Sequence, residues 1–376
     1  MKLGIIRLYV GESGKVGYYN IQEIGLAKAL AKRGISTDIF FLVDKKNNKE
    51  LVIKEIDSMI RIIYMPASKL FNHGIISPKF ILDYNIDIVH LLSDNQLMVP
   101  SFINFCNKHN IKVYNYVGTI VSDSTNKVKK TIIDLISKRN IKCFKDSNVI
   151  AKTPAVKNEL EKNKVSNVRV IPVGLDLSII PKIDEEKKYL REELEIPTNK
   201  KVCIFVGRLE KYKNPLKALE LLRELKNKND DYMLIMIGSG ILKNTILDYI
   251  GKNQLDNSVI LIDKIKNSKI HKYYKASDIF INFNCNEIFG MSILEAMNQG
   301  CKVVAINAPG PTYIIEDNIS GFVINDYDTN KWIDVIEKNI DNNEISQLAI
   351  NRINGEFNWN TIVNKYITLF NELKGE

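Results

Sequence analysis

No apolar run in this chain reaches the ~18 uninterrupted residues of a membrane-spanning helix. Charged residues break every hydrophobic stretch well before that length. Cysteine is sparse too: Cys106, Cys143, Cys203, Cys285 and Cys301 are odd in number and widely scattered. Neither a Cys-x-x-Cys pair nor a Cys/His cluster at metal-ligand spacing occurs, so neither a disulfide framework nor a zinc centre is indicated. The amino terminus, Met1-Lys2-Leu3-Gly4-Ile5-Ile6-Arg7, is interrupted by charge too early for a secretory leader and reads as a first strand. A cytoplasmic setting is expected on these grounds.

What the chain does have is length, a core and a basic balance. Its 376 residues imply two to three domains, at roughly 150 residues each. Apolar content of 45% beside 26% charged residues suits a globular protein with a large core. The net charge of +9 favours an anionic partner such as a nucleotide, a phosphorylated lipid or a membrane surface. Nucleic acid is not expected, because no recognition motif accompanies the charge.

Strand-like and helical segments alternate throughout. Strands are expected at 2–9, 36–43, 86–90, 112–116 and 148–151, and a second series at 201–206, 232–237, 258–262 and 278–283. Such alternation argues for an α/β fold of two doubly wound, Rossmann-like domains with parallel sheets. The hydrophilic stretch 181–200 reads as linker, dividing an amino-terminal domain, 1–175, from a carboxyl-terminal one, 176–357. The tail, 358–376, reads as an amphipathic helix with Ile362, Val363, Tyr366, Leu369 and Phe370 on or near one face.

The most informative stretch is Asn286-Glu287-Ile288-Phe289-Gly290-Met291-Ser292-Ile293-Leu294-Glu295-Ala296-Met297. It lies between two strand-like runs, with Glu287 in a loop and Glu295 just over one turn into a helix. Free backbone N–H groups near Gly290, Met291, Ser292 and Ile293 make an anion site. Carboxylates beside such a site suit sugar hydroxyls rather than phosphate, and the combination describes a nucleotide-sugar site. A second anchor is Gly207-Arg208-Leu209-Glu210-Lys211-Tyr212-Lys213. Gly207 allows a sharp turn at a strand end. Arg208 and Lys213 then extend cations into the crevice outside the strand ends, where a diphosphate needs them. Gly238 marks another strand-end turn. The loop from Gly11 to Asn20 is neither a Walker A loop nor a dinucleotide fingerprint, since its glycine and lysine intervals are wrong.

In this order, the motifs resemble those of the family 4 retaining glycosyltransferases, the glycosyl transferases group 1, whose GT-B fold sets two Rossmann-like domains facing across a cleft. The resemblance implies that Glu287 binds the transferred sugar and Glu295 the nucleotide ribose, with Phe289, Gly290, Met291 and Ser292 between them at the donor. It implies that Arg208 and Lys213 contact the donor diphosphate and, with Glu287, form the catalytic set. Gly207 and Gly238 would line the donor site, Gly14 and Lys15 would face the donor phosphates, and the tail helix would pack back on the first domain. No metal and no cofactor are expected, the nucleotide-sugar being a substrate.

One departure stands out. Family members carry a histidine after the strand matching 112–116, and here Val117 occupies that place. Thr119 and Asp123 are therefore acceptor-side candidates, and His90 joins them, although a lone histidine at a strand end is more often structural than catalytic. The function implied is retaining transfer from a nucleoside-diphosphate sugar, a UDP-sugar foremost, to a glycan, lipid-linked or protein acceptor in cell-surface glycan or glycoconjugate synthesis. A catalytically silent partner subunit is the alternative, favoured by the missing histidine. A nicotinamide oxidoreductase would need a glycine fingerprint and a better acidic residue than Asp44.

Two further stretches are read from residues alone. Asp326-Tyr327-Asp328 reads as a helix cap rather than a metal motif. The segment 126–148 carries seven cations among apolar residues, a pattern suiting either a helix peripheral to an anionic inner membrane face or a core helix with a solvated side.

Overall fold

The computed structural model describes residues 1–10, 21–121 and 126–375. They fall into two compact units. One comprises residues 1–10, 21–121, 126–174 and 359–375, and the other Leu175–Asn358.

The first unit holds nine strands: β1 (Lys2–Arg7), β2 (Ser36–Asp44), β3 (Val52–Asp57), β4 (Ile60–Leu70), β5 (His73–Ile75), β6 (Ile88–Leu92), β7 (Lys112–Val117), β8 (Asn148–Ala151) and β9 (Val168–Val170). Their order is β3-β4-β2-β1-β6-β7-β8-β9, with β5 paired to β4. The strands from β4 through β9 along this path pair in parallel. Continuous apolar runs such as Ile39-Phe40-Phe41-Leu42 suit them, because helices cover both faces of such a sheet. The helix Trp359–Lys374 belongs to this unit and buries Trp359, Ile362, Val363, Tyr366, Leu369 and Phe370. Its Trp359 indole lies so close over Gly25 that a Cβ there would come within 2.1 Å of the ring nitrogen.

The sheet differs from the all-parallel expectation at one edge. β3 and β5 both run antiparallel to β4, and all three escape the sequence pattern. In β3 every residue is exposed, so neither a buried run nor an apolar–polar alternation marks it.

The second unit is a six-stranded sheet of β10 (Lys201–Val206), β11 (Tyr232–Ile237), β12 (Val259–Ile262), β13 (Ile279–Asn282), β14 (Lys302–Ile306) and β15 (Phe322–Ile324). It is parallel throughout, in the order β12-β11-β10-β13-β14-β15. Leu222, Met236, Ile281, Val304 and Trp332 share one core beneath it. The chain winds outward from β10 to β12, then returns to β13 on the other side of β10. That reversal opens a crevice outside the carboxyl ends of β10 and β13.

The stretch expected as linker, 181–200, is instead built into the second unit. It contains the helix Lys187–Glu193, and Arg191 from that helix is buried. Its guanidinium meets Asp278 at 2.8 Å and donates to the carbonyls of Ala276 and Lys200. Lys187 reaches the other Asp278 oxygen at 2.6 Å, and the Val202 amide donates at 2.8 Å. Burial alone would raise the Asp278 carboxyl, but Lys187 and Arg191 outweigh it and hold it below its ordinary value. A depressed carboxyl stabilises the fold above its unfolded pKa and loses that contribution as pH falls through the folded one. Arg191→Ala takes one of two cations from the largely buried Asp278 carboxylate and removes the donor to the carbonyls of Ala276, Thr198 and Lys200. The expected loss is about 3 kcal/mol, read as a lower urea midpoint at neutral pH.

Candidate functional site

The crevice of the second unit is furnished by the loops that follow β10 and β13. β10 ends in the buried run Val202-Cys203-Ile204-Phe205 and breaks at Gly207. The loop after β11 comes so near that a Cβ on Gly238 would stand 1.9 Å from the Gly207 carbonyl oxygen. Only backbone fits between these strand ends. Leu209, fully buried, anchors the loop between two outward cations. The Arg208 side chain is 63% exposed. Lys213 closes the short turn Lys211–Lys213. The Tyr212 ring lies between the two cations, 5.2 Å from the Arg208 guanidinium and 5.5 Å from the Lys213 ammonium.

Asn214 ties this loop to the end of β13. It adopts a left-handed φ of 50° at the start of the helix Pro215–Lys228. Its side-chain amide donates to the Phe283 carbonyl at 2.9 Å and to the Tyr327 hydroxyl at 3.2 Å. Tyr327 in turn donates to the same carbonyl at 3.1 Å. Across this brace Lys213 Nζ meets Glu287 Oε2 at 2.6 Å. The same carboxylate oxygen accepts from Asn284 Nδ2 at 3.1 Å.

Beyond Glu287 the chain turns through Gly290, whose φ of +103° disfavours any residue with a Cβ, into the helix Met291–Asn298. The amides of Ile293 and Leu294 both donate to the Gly290 carbonyl. Those of Met291 and Ser292 have no backbone acceptor among the described residues, as expected of a first helical turn. Phe289 is buried, its ring 6.4 Å from that of Phe357, and it holds the turn against the core.

Glu295 points inward and is only 5% exposed. Asn267 Nδ2 donates to Oε1 at 2.9 Å, and the buried Tyr274 hydroxyl lies 3.3 Å from Oε2. Burial pushes this carboxyl up to about 7, and the hydrogen bonds from Asn267 and Tyr274 pull it only part of the way back.

The structure thus brings Gly207, Arg208, Lys213, Gly238, Glu287 and Gly290 to one strand-end region, with Glu295 a turn deeper in the helix. Sequence reasoning missed Asn214, Asn284 and Tyr327, which brace the Lys213–Glu287 pair, and Asn267 and Tyr274, which hold Glu295. The signal for Asn284 was available, as asparagine stands at 282, 284 and 286 around the strand end. Asn267 and Tyr274 come from another helix, and only the fold brings them in. Asp328 caps the helix Thr329–Asn339, its side chain accepting from the Asn330 amide, as read from the sequence.

In the first unit the acceptor-side expectation changes. His90 sits inside β6, buried among the rings of Tyr114, Tyr116 and Tyr366. Its Nδ1 lies 2.8 Å from the Tyr114 hydroxyl. Burial foremost, then the charge of Lys152, lowers its pKa to about 3. A neutral, enclosed ring cannot meet an acceptor, so His90 is withdrawn as an acceptor-side residue. Thr119 stays at the end of β7, its hydroxyl donating to the Val121 carbonyl at 3.0 Å. Asp94, which the sequence did not single out, accepts from the amides of Gly118 at 2.5 Å and Thr119 at 3.2 Å. Gly14, Lys15 and Asp123 lie outside the described residues.

Comparison with known proteins finds relatives of this chain. Residues 186–354 match the sequence profile of the glycosyl transferases group 1. A D-inositol 3-phosphate glycosyltransferase of Corynebacterium diphtheriae is 24% identical over 375 residues, covering 89% of this chain and 84% of that protein. The solved sucrose-phosphate synthase of Thermosynechococcus elongatus superposes with a TM-score of 0.78 at 17% identity, over 100% of this chain and 99% of its own. The Anabaena protein HepE, solved in complex with UDP-glucose, gives 0.73 at 16% identity, over 99% and 100%.

Proposed function

We infer that this chain, a glycosyltransferase belonging to the glycosyl transferases group 1 and built on the GT-B fold, moves a hexose-type sugar from a nucleoside diphosphate to an acceptor hydroxyl with retention of configuration. The observation that carries the reading is the 2.6 Å pair between Lys213 and Glu287, two residues 74 apart in sequence and drawn from the two motifs. A cation suited to phosphate and a carboxylate suited to sugar hydroxyls in direct contact are what a sugar-diphosphate junction requires.

On this reading Arg208, Lys213 and the amides of Met291 and Ser292 take the charge that grows on the departing diphosphate. That electrostatic stabilisation is the largest contribution to rate. Glu295 accepts from the ribose hydroxyls and Glu287 orients the sugar. The bond to phosphate breaks through an oxocarbenium-like state. The leaving phosphate then helps deprotonate the acceptor hydroxyl on the same face, so the protein supplies no nucleophile. The acceptor belongs to cell-surface glycan or glycoconjugate synthesis, and the backbone around Gly118 with Thr119 contributes on its side. A silent partner subunit is disfavoured, because it has no need of the Lys213–Glu287 pair or of a buried carboxyl like Glu295.

The Anabaena protein holds UDP-glucose, so UDP is the first nucleotide to test. A thermal-shift series with UDP, GDP, ADP and their sugar conjugates is expected to single out the uridine compounds. At a hundred times Kd the added stability is about 2.7 kcal/mol. No shift with any of them overturns the reading.

A further inference from the structure

The helix Lys127–Phe144 turns apolar side chains in two directions. Ile136, Ile141 and Phe144 are buried in the first unit. On the same side Asn140 Nδ2 donates to the Gln96 carbonyl at 2.9 Å, fixing the helix to the body. Val128, Ile132 and Leu135 follow one another at four and three residues, a spacing that lines them up on one stripe of the helix. This second stripe faces away from the core: the three are 71%, 47% and 60% exposed. The sequence pattern alone allowed a single core-packed face, and the structure shows that one face packs while another apolar face stays outside.

The charges around that stripe break a local rule. Lys127, Lys129 and Lys130 crowd the first turn, where the helix dipole is positive and cations are disfavoured, and no acidic residue stands there to offset them. Lys138, Arg139 and Lys142 continue the basic flank, against the single acid Asp134. Among the described residues none of Lys127, Lys129, Lys130, Lys138 and Lys142 is in an ion pair. A local rule broken without an ion pair among the described residues points to compensation from outside them.

We propose that this face is a docking surface for an anionic phospholipid bilayer. Val128, Ile132 and Leu135 enter the boundary between headgroups and acyl chains, and the flanking lysines meet lipid phosphates. The helix lies along the surface, since no helix among the described residues is long and apolar enough to cross a membrane. A second copy of the chain is a poor occupant, because two such faces would set like charges against each other. The proposal does not depend on the donor-site reading. It would set the enzyme beside lipid-linked acceptors.

The test is co-sedimentation of the full chain with vesicles of equal parts phosphatidylglycerol and phosphatidylcholine, and with pure phosphatidylcholine. Binding is expected to the anionic vesicles, at least ~10-fold weaker to the neutral ones, and released at ~0.5 M salt. Val128→Gln with Leu135→Gln is expected to weaken it ~10-fold or more, and Lys127→Ser with Lys129→Ser and Lys130→Ser at least as much. Both variants should keep the wild-type melting temperature and the wild-type response to UDP, since the altered side chains are exposed. Failure of docking therefore leaves the donor reading standing, and the reverse. Absence of vesicle binding, equal binding to both vesicles, or unchanged binding by both variants overturns the proposal. A dimer in sedimentation equilibrium that Leu135→Gln dissolves also overturns it, assigning the face to a second copy.

Discussion

Arg208→Ala is expected to lower kcat/KM for sugar transfer by about 10²–10³-fold, or about 3–4 kcal/mol of transition-state stabilisation, while leaving the fold intact. The two halves of that expectation have separate causes. The Arg208 side chain is 63% exposed, and its one ion pair among the described residues, with Glu210, is long at 3.9 Å. Removing it strands no buried group, so stability should move by no more than about 0.5 kcal/mol. The rate falls because a guanidinium can bridge two phosphate oxygens as charge develops on the leaving group. Lys213→Ala should lower the rate by a similar factor but also cost stability, since Glu287 then loses a partner at 2.6 Å and, among the described residues, keeps the side chain of Asn284 alone. Because Lys213 and Glu287 act as a contacting pair, the double variant should lose less than the two single losses combined. Steady-state transfer rates with urea midpoints for each variant check both halves. Near-normal turnover in Arg208→Ala and Lys213→Ala alike would remove the diphosphate role from this loop.

The loops assigned to the donor could be picked out of the sequence because their chemistry is local. Gly207, Arg208 and Lys213 lie within seven residues of one another, and Glu287 to Glu295 spans a single loop and helix turn. Strand-end glycines and a helix start are short-range signals, and the crevice at the switch between β10 and β13 follows from the alternation of strands and helices. What was not legible depends on contacts between distant segments. Asn267 and Tyr274 reach Glu295 from another helix, and Asn214 and Tyr327, following β10 and β15, meet at the Phe283 carbonyl after β13. His90 misled for a related reason. A histidine near a strand end reads the same whether its ring faces a crevice or three tyrosines, and only packing decides. The hydrophilic stretch before β10 misled through composition, since its charge is spent on Asp278 rather than on water. β3 gave no sign because its exposed edge carries neither of the two periodicities by which strands are read.

Glu295 carries the second large expected effect, and it is a trade between stability and binding. Its carboxyl titrates at about 7 against an ordinary 4.5, chiefly because it is buried. Between those two values the folded chain holds a proton that the unfolded chain has released. Stability must therefore fall as pH rises from about 4.5 to about 7, the reverse of the usual carboxylate case. The full gap corresponds to about 3 kcal/mol. Glu295→Gln keeps the shape and the contacts with Asn267 and Tyr274 but never ionises. It should match the wild type near pH 5 and exceed it at pH 8 by up to that amount, read as a higher urea midpoint. A residue that weakens its own fold at neutral pH needs a use for the charge, and accepting hydrogen bonds from ribose hydroxyls is such a use. Wild-type affinity for a UDP-sugar should then rise as pH passes upward through about 7, because only the ionised carboxylate accepts at both oxygens. In Glu295→Gln the affinity should be weaker and flat across the same range. The sugar conjugate is the right probe, since its diphosphate carries no proton that titrates there. A variant that gains no stability at pH 8, or one that binds the donor with the wild-type pH profile, would show that the buried charge serves neither the cost nor the purpose assigned to it.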